Sequence, residues 1–335
     1  MTPRATKCTY HVARADMTFG ARSWFRHNGG SIVSSRSSAS LRQQQLMTRH
    51  REFLSNALSG HMLHGHITAS SDTGMSLPPV FYHYFQTPLP YARTLALQER
   101  LHQIQLAARR TSSHHDVLLL LQHRPVYTAG RRQTAEELTA ERTRLTRIGA
   151  DFVTTSRGGQ LTYHGPGQLV GYPILDLGRT SPAMGTRDYV CRIQRAIQAY
   201  LAGEHGLRAV PSEHMGLFLD ATTKVASIGV QVRHGLTTHG FAMNVTKEPL
   251  AWFDRVVACG LADVKAGCIE LATGKAVQVD DVVEGIVAAF GTMYGRGMER
   301  LKVESAGEVG EAIVVLEEEA LAAGDWPKSP VTLSP

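Results

Sequence analysis

The chain has 335 residues, 43% of them hydrophobic, with 35 Lys and Arg against 29 Asp and Glu for a formal charge of +6. That is enough apolar material for one large core or two small ones, and no run of 18 apolar residues marks a membrane span. Four cysteines, Cys8, Cys191, Cys259 and Cys268, without any C-x-x-C spacing, argue against a disulfide framework or a structural zinc site, and no metal is expected.

Basic charge gathers at the start. Residues 1–60 carry nine Lys or Arg against Asp16 and Glu52, whereas residues 304–335 carry seven acids and one Lys. Residues 1–75 are rich in Arg, Ser and His and show no sustained period, as in SIVSSRSSASLRQQQ. That is the composition of a mitochondrial transit peptide or of a merely disordered extension. His61, His64 and His66 lie in a glycine-flanked part of it and make a poor metal site. The body between residues 76 and 302 is mildly basic, with no basic run interleaved with aromatics, which excludes nucleic acid as an expected partner and suits acidic protein partners through steering.

The folded part is expected to begin near Val80. VFYHYFQ alternates like a strand. Tyr91 to Arg110 reads as an amphipathic helix through Leu95, Leu101 and Leu106, and VLLLLQ (117–122) reads as a buried strand. HRPVYTAGRR reads as a Pro- and Gly-punctuated loop lining a pocket, and Ile148 to Thr155 as another strand. Then comes RGGQLTYHGPGQLVGYPILD, from Arg157 to Asp176. Two glycine clusters, Gly158–Gly159 and Gly165-Pro166-Gly167, flank Thr162, Tyr163 and His164, so the backbone turns sharply beside a group of polar side chains. A hairpin with glycine turns explains one cluster; two within ten residues favour a binding loop.

Thr186 to His205 is expected as a helix with Val190, Ile193, Ile197 and Leu201 on one face and Cys191 on its polar side. GLFLD, KVASIGVQVR and THGFAMNV read as consecutive antiparallel strands, AGCIEL around Cys268 as an ordinary strand, and Val279 to Met298 as a helix. The acidic segment after residue 303 reads as a weakly helical appendage. Strands and helices mixed in this way predict a single α/β (α+β) domain, a mixed sheet flanked by helices.

RGGQLTYHGPGQLVGYPILDL, KVASIGVQVRHGLTTHGFAMNV and FDRVVACGL, in this order, resemble the three motifs of the lipoyl(octanoyl) transferases over about residues 80 to 300. That resemblance implies the mixed-sheet catalytic fold shared with biotin and lipoate ligases. It implies a catalytic pair, Cys259 as the acyl-thioester nucleophile and Lys224 as its partner amine. It implies substrate contacts from Arg157, Gly158, Gly159, Gln160, Leu161, Thr162, Tyr163 and His164, from Ser227, Ile228 and Gly229, and from Gly240, Phe241 and Ala242. Read alone, Cys259 after three apolar residues fits a core position as well as a nucleophile, and Lys224 at the head of an apolar strand face fits a snorkelling strand end as well as an activated amine.

The implied reaction moves octanoyl from octanoyl-acyl carrier protein to Cys259 and then to a lysine of apo lipoyl domains, those of 2-oxoacid dehydrogenase E2 subunits and the glycine cleavage H protein. It needs no cofactor. No G-x-x-x-x-G-K-[ST] loop is present, and Ser227 in VASIG is not a G-x-S-x-G elbow, which disfavours a serine hydrolase. An ATP-dependent ligase on the same fold and a non-catalytic carrier-binding module stay open. His164 and His239 are expected either to move a proton or to fix loops by hydrogen bonds, and Asn244 to hold a turn.

Overall fold

The structure is a computed structural model that describes residues 77–111, 113–131, 133, 135–256 and 263–332. The readings placed on residues 1–75 and on Cys259 therefore lie outside the described residues.

Its centre is a mixed sheet in the order β10-β8-β9-β6-β2-β1-β11, with β7 paired to β8. The strands are β1 (Val80–Tyr84), β2 (Asp116–Leu121), β6 (Gln168–Ile174), β7 (Leu217–Phe218), β8 (Thr223–Arg233), β9 (Leu236–Asn244), β10 (Lys265–Ala266) and β11 (Met298–Arg300). β2 is buried throughout because both faces of the sheet are covered, which is why DVLLLL needs no alternation. β8 and β9 form a long hairpin from Ala226↔Met243 to Arg233↔Leu236, its turn made by His234 and Gly235 at positive φ.

On one face lie α3 (Thr186–His205) and α6 (Val279–Tyr294). The stripe Val190, Ile193, Ile197 and Leu201 packs there against Leu118, Leu120, Ile228, Phe241 and Met243. On the other face lie α1 (Tyr91–Ala108) and α7 (Gly307–Ala322), whose Leu97, Leu101, Ile313 and Leu316 cover Val117, Leu119, Val170 and Tyr172. The acidic C-terminal segment contains a docked helix: Ile313, Leu316 and Ala320 are buried, and Glu308, Glu317 and Glu319 pair with Arg100, His83 and Arg93. Arg124 donates to the carbonyls of Ala320 and Ala323 at 2.9 and 2.8 Å, satisfying groups that a helix end leaves open.

HRPVYTAGRR is not only a loop. It contains β3 (Val126–Ala129), the middle strand of a small sheet β4-β3-β5 with β4 (Asp151–Thr154) and β5 (Thr162–His164). Tyr127, Phe152 and Tyr163 of this sheet, with Leu161 just before β5, pack with Trp252 and Phe253 of α4 (Glu248–Phe253), and α2 (Ala135–Arg147) adds Leu145. AGCIEL is a strand only at Ala266, the end of β10. Cys268 caps the short helix α5 (Ile269–Thr273), its sulfur accepting from the Leu271 N–H at 3.4 Å.

Candidate active site

The Arg157–Gln160 loop is laid over β8. Gly158 N donates to the Val230 carbonyl at 3.4 Å, beside Gly229. Arg157 holds the loop from within: its guanidinium, nearly buried, donates to the carbonyls of Thr128, Gly158 and Gln160 at 2.6 to 3.0 Å and to the Thr128 hydroxyl at 2.8 Å. The approach is tight enough that a Cβ on Gly130 would lie 2.3 Å from the Gly159 carbonyl oxygen. Gly240 meets the same constraint deeper in the sheet, where a Cβ would sit 2.1 Å from the Gly171 carbonyl oxygen.

Strand alternation then sorts the expected contacts. Gly229 pairs with Gly240 and Ser227 with Ala242, and Ala242 lies on the α1 face with Val170 and Tyr172. Ile228 and Phe241 turn the other way into the α3/α6 core, where Phe241 stacks on Phe290, so only their backbone is left to serve the α1 face. Leu161 and Tyr163 are core residues of the small sheet, with Tyr163 stacked on Trp252. Gln160 contributes its carbonyl to Arg157.

Sequence reasoning missed a buried polar cluster at this face. Tyr91 stacks on His164 with ring centres 6.1 Å apart, and His123 lies 6.0 Å from His164 and 5.8 Å from Tyr172. His123 Nδ1 is 3.1 Å from the Leu89 carbonyl oxygen and must carry the proton, so Nε2 accepts from the Tyr172 hydroxyl at 2.6 Å. Gln98 of α1 accepts the His239 N–H at 2.7 Å, at a residue held at φ 58°. Burial drives all three histidines towards the neutral form, His123 down to about 4 and His164 and His239 down to about 3; the His123 and Arg157 charges push His164 the same way, and Arg157 acts also on His239. Of these, His164, Tyr172 and His239 lay in the motifs and His123 in the loop expected to line a pocket, but nothing in the sequence joined them into one cluster. Tyr91 and Gln98 gave no signal, since a polar stripe inside a helix reads as its wet side.

Lys224 is nearly buried near the head of β8. Its ammonium lies 5.6 Å from the centre of the Phe218 ring, and its stem runs along Gly216. Beside it, Ala266 of β10 pairs with Lys224, and the Gly267 N–H donates to the Lys224 carbonyl at 2.9 Å. The described chain resumes at Asp263, and Lys265 and Ala266 then lie beside Thr223 and Lys224. Cys268, nine residues after Cys259, is fully buried, and burial pushes its pKa up.

The family described as the lipoyl protein ligase A/B catalytic domain matches residues 90–291. An octanoyltransferase of Caldicellulosiruptor saccharolyticus is 36% identical over 221 residues, covering 65% of this chain and 91% of the relative. One of Leifsonia xyli is 40% identical, covering 63% and 89%. A Danio rerio protein named as a mitochondrial octanoyl-[acyl-carrier-protein]:protein N-octanoyltransferase is 36% identical, covering 60% and 87%. Among solved structures, lipoate-protein ligase A bound with ATP superposes with a TM-score of 0.51 at 17% identity, covering 73% of this chain and 96% of the other. The archaeal bipartite lipoate protein ligase of Thermoplasma acidophilum gives 0.51 at 16%, covering 73% and 94%; both carry the fold alone. The chain belongs to the lipoyl protein ligase A/B catalytic-domain family, as an acyltransferase related to the octanoyltransferases.

Proposed function

We propose that this acyltransferase moves octanoyl from octanoyl-acyl carrier protein, through a thioester on Cys259, to a lysine ε-amine of apo lipoyl domains on 2-oxoacid dehydrogenase E2 subunits and the glycine cleavage H protein. The observation that carries the reading is the pairing of Lys224 with Ala266, which ties the segment following Cys259 to the strand that Lys224 heads. Likeness to named octanoyltransferases supports the acyl group and the donor, and the basic, hydroxylated leader of residues 1–75 supports a mitochondrial destination.

In loading, the Cys259 thiolate attacks the thioester carbonyl, the carrier's C–S bond breaks, and the departing thiolate takes a proton from the Lys224 ammonium. In discharge, the acceptor amine forms the new C–N bond, its proton passes to the now neutral Lys224, and Cys259 leaves as thiolate. Loading exchanges one thioester for another and discharge runs downhill to an amide, so no nucleotide is consumed. The glycine-lined face of Gly158, Gly159, Gly229 and Gly240, with Ser227 and Ala242, receives the donor arm and acyl chain.

The test is transfer from octanoyl-carrier to an apo lipoyl domain without ATP. Wild type is expected to turn over, Cys259→Ser and Lys224→Ala to lose at least about 100-fold. Strict dependence on ATP would point to a ligase instead, and binding without turnover to a carrier-binding module.

A further inference from the structure

His164 sits at the end of a hydrogen-bond chain whose polarity can be read without ambiguity. The Asn244 Nδ2 donates to the Gly267 carbonyl at 2.9 Å, which leaves Asn244 Oδ1 to accept from Gln168 Nε2 at 2.8 Å. A second, longer contact from Gln168 Nε2 to the Tyr163 carbonyl, 3.4 Å, fixes the same orientation. Gln168 Oε1 is therefore an acceptor, and His164 Nδ1, 2.7 Å away, must be the donor. Among the described residues nothing bonds the Nε2 lone pair of His164, in a side chain more than nine-tenths buried and lying parallel to the Tyr91 ring. Gln168 and Asn244 face each other in register across β6 and β9, so the chain is built into the sheet, and its far end, Gly267, is bonded to Lys224.

A neutral imidazole with only Nε2 open can accept a hydrogen bond and cannot give one. The two half-reactions differ in what they offer it. In loading, the reacting atoms are a thiolate and a thioester carbonyl, and neither carries N–H or O–H. In discharge, the nucleophile is an amine, which must present its lone pair to the acyl carbon while keeping its N–H groups solvated or bonded.

We propose that His164 Nε2 accepts an N–H of the incoming lysine amine and so aims its lone pair at the acyl carbon, and that Gln168 and Asn244 are positioning residues that hold His164 in the Nδ1–H form. The inference rests on the acyl transfer proposed above. His164 takes up no proton in the step: the C–N bond forms, the C–S bond to Cys259 breaks, and the amine's proton goes to Lys224 as before.

Two amide replacements separate the nitrogens of the ring. His164→Asn places an amide at the δ position, still able to donate to Gln168, and removes the ε acceptor. His164→Gln restores an amide oxygen near the ε position. Single-turnover loading from octanoyl-carrier and discharge to an apo lipoyl domain are followed separately by intact-protein mass. In His164→Asn, discharge is expected to fall by roughly 10- to 100-fold and loading by less than about threefold, with discharge partly recovered in His164→Gln.

Gln168→Glu gives an independent readout. A carboxylate beside the Nδ1–H raises the affinity of the ring for a proton, and a protonated ring has lost its open lone pair. Its discharge rate should therefore fall as pH is lowered through a limb that wild type lacks. Equal losses in both half-reactions, a loss confined to loading, as a contact to an amide of the carrier's arm would give, or discharge at the wild-type rate in His164→Asn overturns the proposal. Failure of wild type to load at all removes the octanoyl transfer itself, which is a different result.

Discussion

Gly240 is the residue at which the glycine content of the motifs becomes a mechanical requirement. Any side chain there would collide with the Gly171 carbonyl oxygen at 2.1 Å and with Pro173 at 2.7 Å. Neither is a flexible tip that can swing away, so Gly240→Ala should cost about 2–4 kcal/mol in urea unfolding, by forcing β6 from β9; a loss under about 0.5 kcal/mol would contradict the packing. The buried histidines give a second expectation. His123, His164 and His239 stay neutral in the fold down to about pH 4, 3 and 3, whereas in the unfolded chain they take up protons below the ordinary value of 6.5. Unfolding binds protons in that window, so their contribution is whole above pH 6.5 and is lost as pH falls towards 4. The slope reaches about 1.4 kcal/mol per pH unit for each histidine. Urea unfolding measured from pH 7 to 4.5 should show this decline, and a flat profile would refute the neutral assignment.

Among the elements, α7 makes the least expected contribution. Ile313 and Leu316 complete a layer with Phe85, Leu89, Leu97 and Leu101, so Leu316→Ala is expected to cost about 2–4 kcal/mol in the same unfolding assay, and no change would mean that the helix is dispensable. The periodic elements are legible in the sequence. The five apolar residues of β2 and the Val190, Ile193, Ile197 and Leu201 stripe of α3 each permit only one buried arrangement. α1 was legible as a helix but not in its facing. Thr94, Gln98, His102 and Gln105 turn inward, because Gln105 bonds the His115 and Ile174 carbonyls at 2.6 and 3.0 Å and Gln98 bonds the His239 N–H. Ile174 and His239 lie far along the chain, and hydrophobic periodicity carries no trace of such partners. β3 was hidden by the flanking Pro125 and Gly130, which punctuate a short strand as readily as a loop. In the candidate site, the loop over β8 was legible from its glycines, whereas the turning of Ile228 and Phe241 into the core required the register of β8 against β9.

For the whole molecule, the two faces of one sheet are given different work. The α3/α6 face is almost wholly apolar and supplies the main core, while the α1 face carries the buried histidines, Arg157 and the glycine-lined strands. A fold shared with a ligase bound to ATP makes nucleotide use the sharpest whole-protein distinction. Turnover should be unchanged when ATP and magnesium are removed, and a drop of more than about tenfold would argue for ligase chemistry. The central claim, acyl transfer through a thiol beside Lys224, is tested most directly by intact and peptide mass spectrometry after brief incubation with octanoyl-carrier alone. One octanoyl group is expected on the peptide containing Cys259, removable by hydroxylamine and discharged by an apo lipoyl domain. An equal adduct in Cys259→Ser, or one on Cys191 or Cys268, would contradict it.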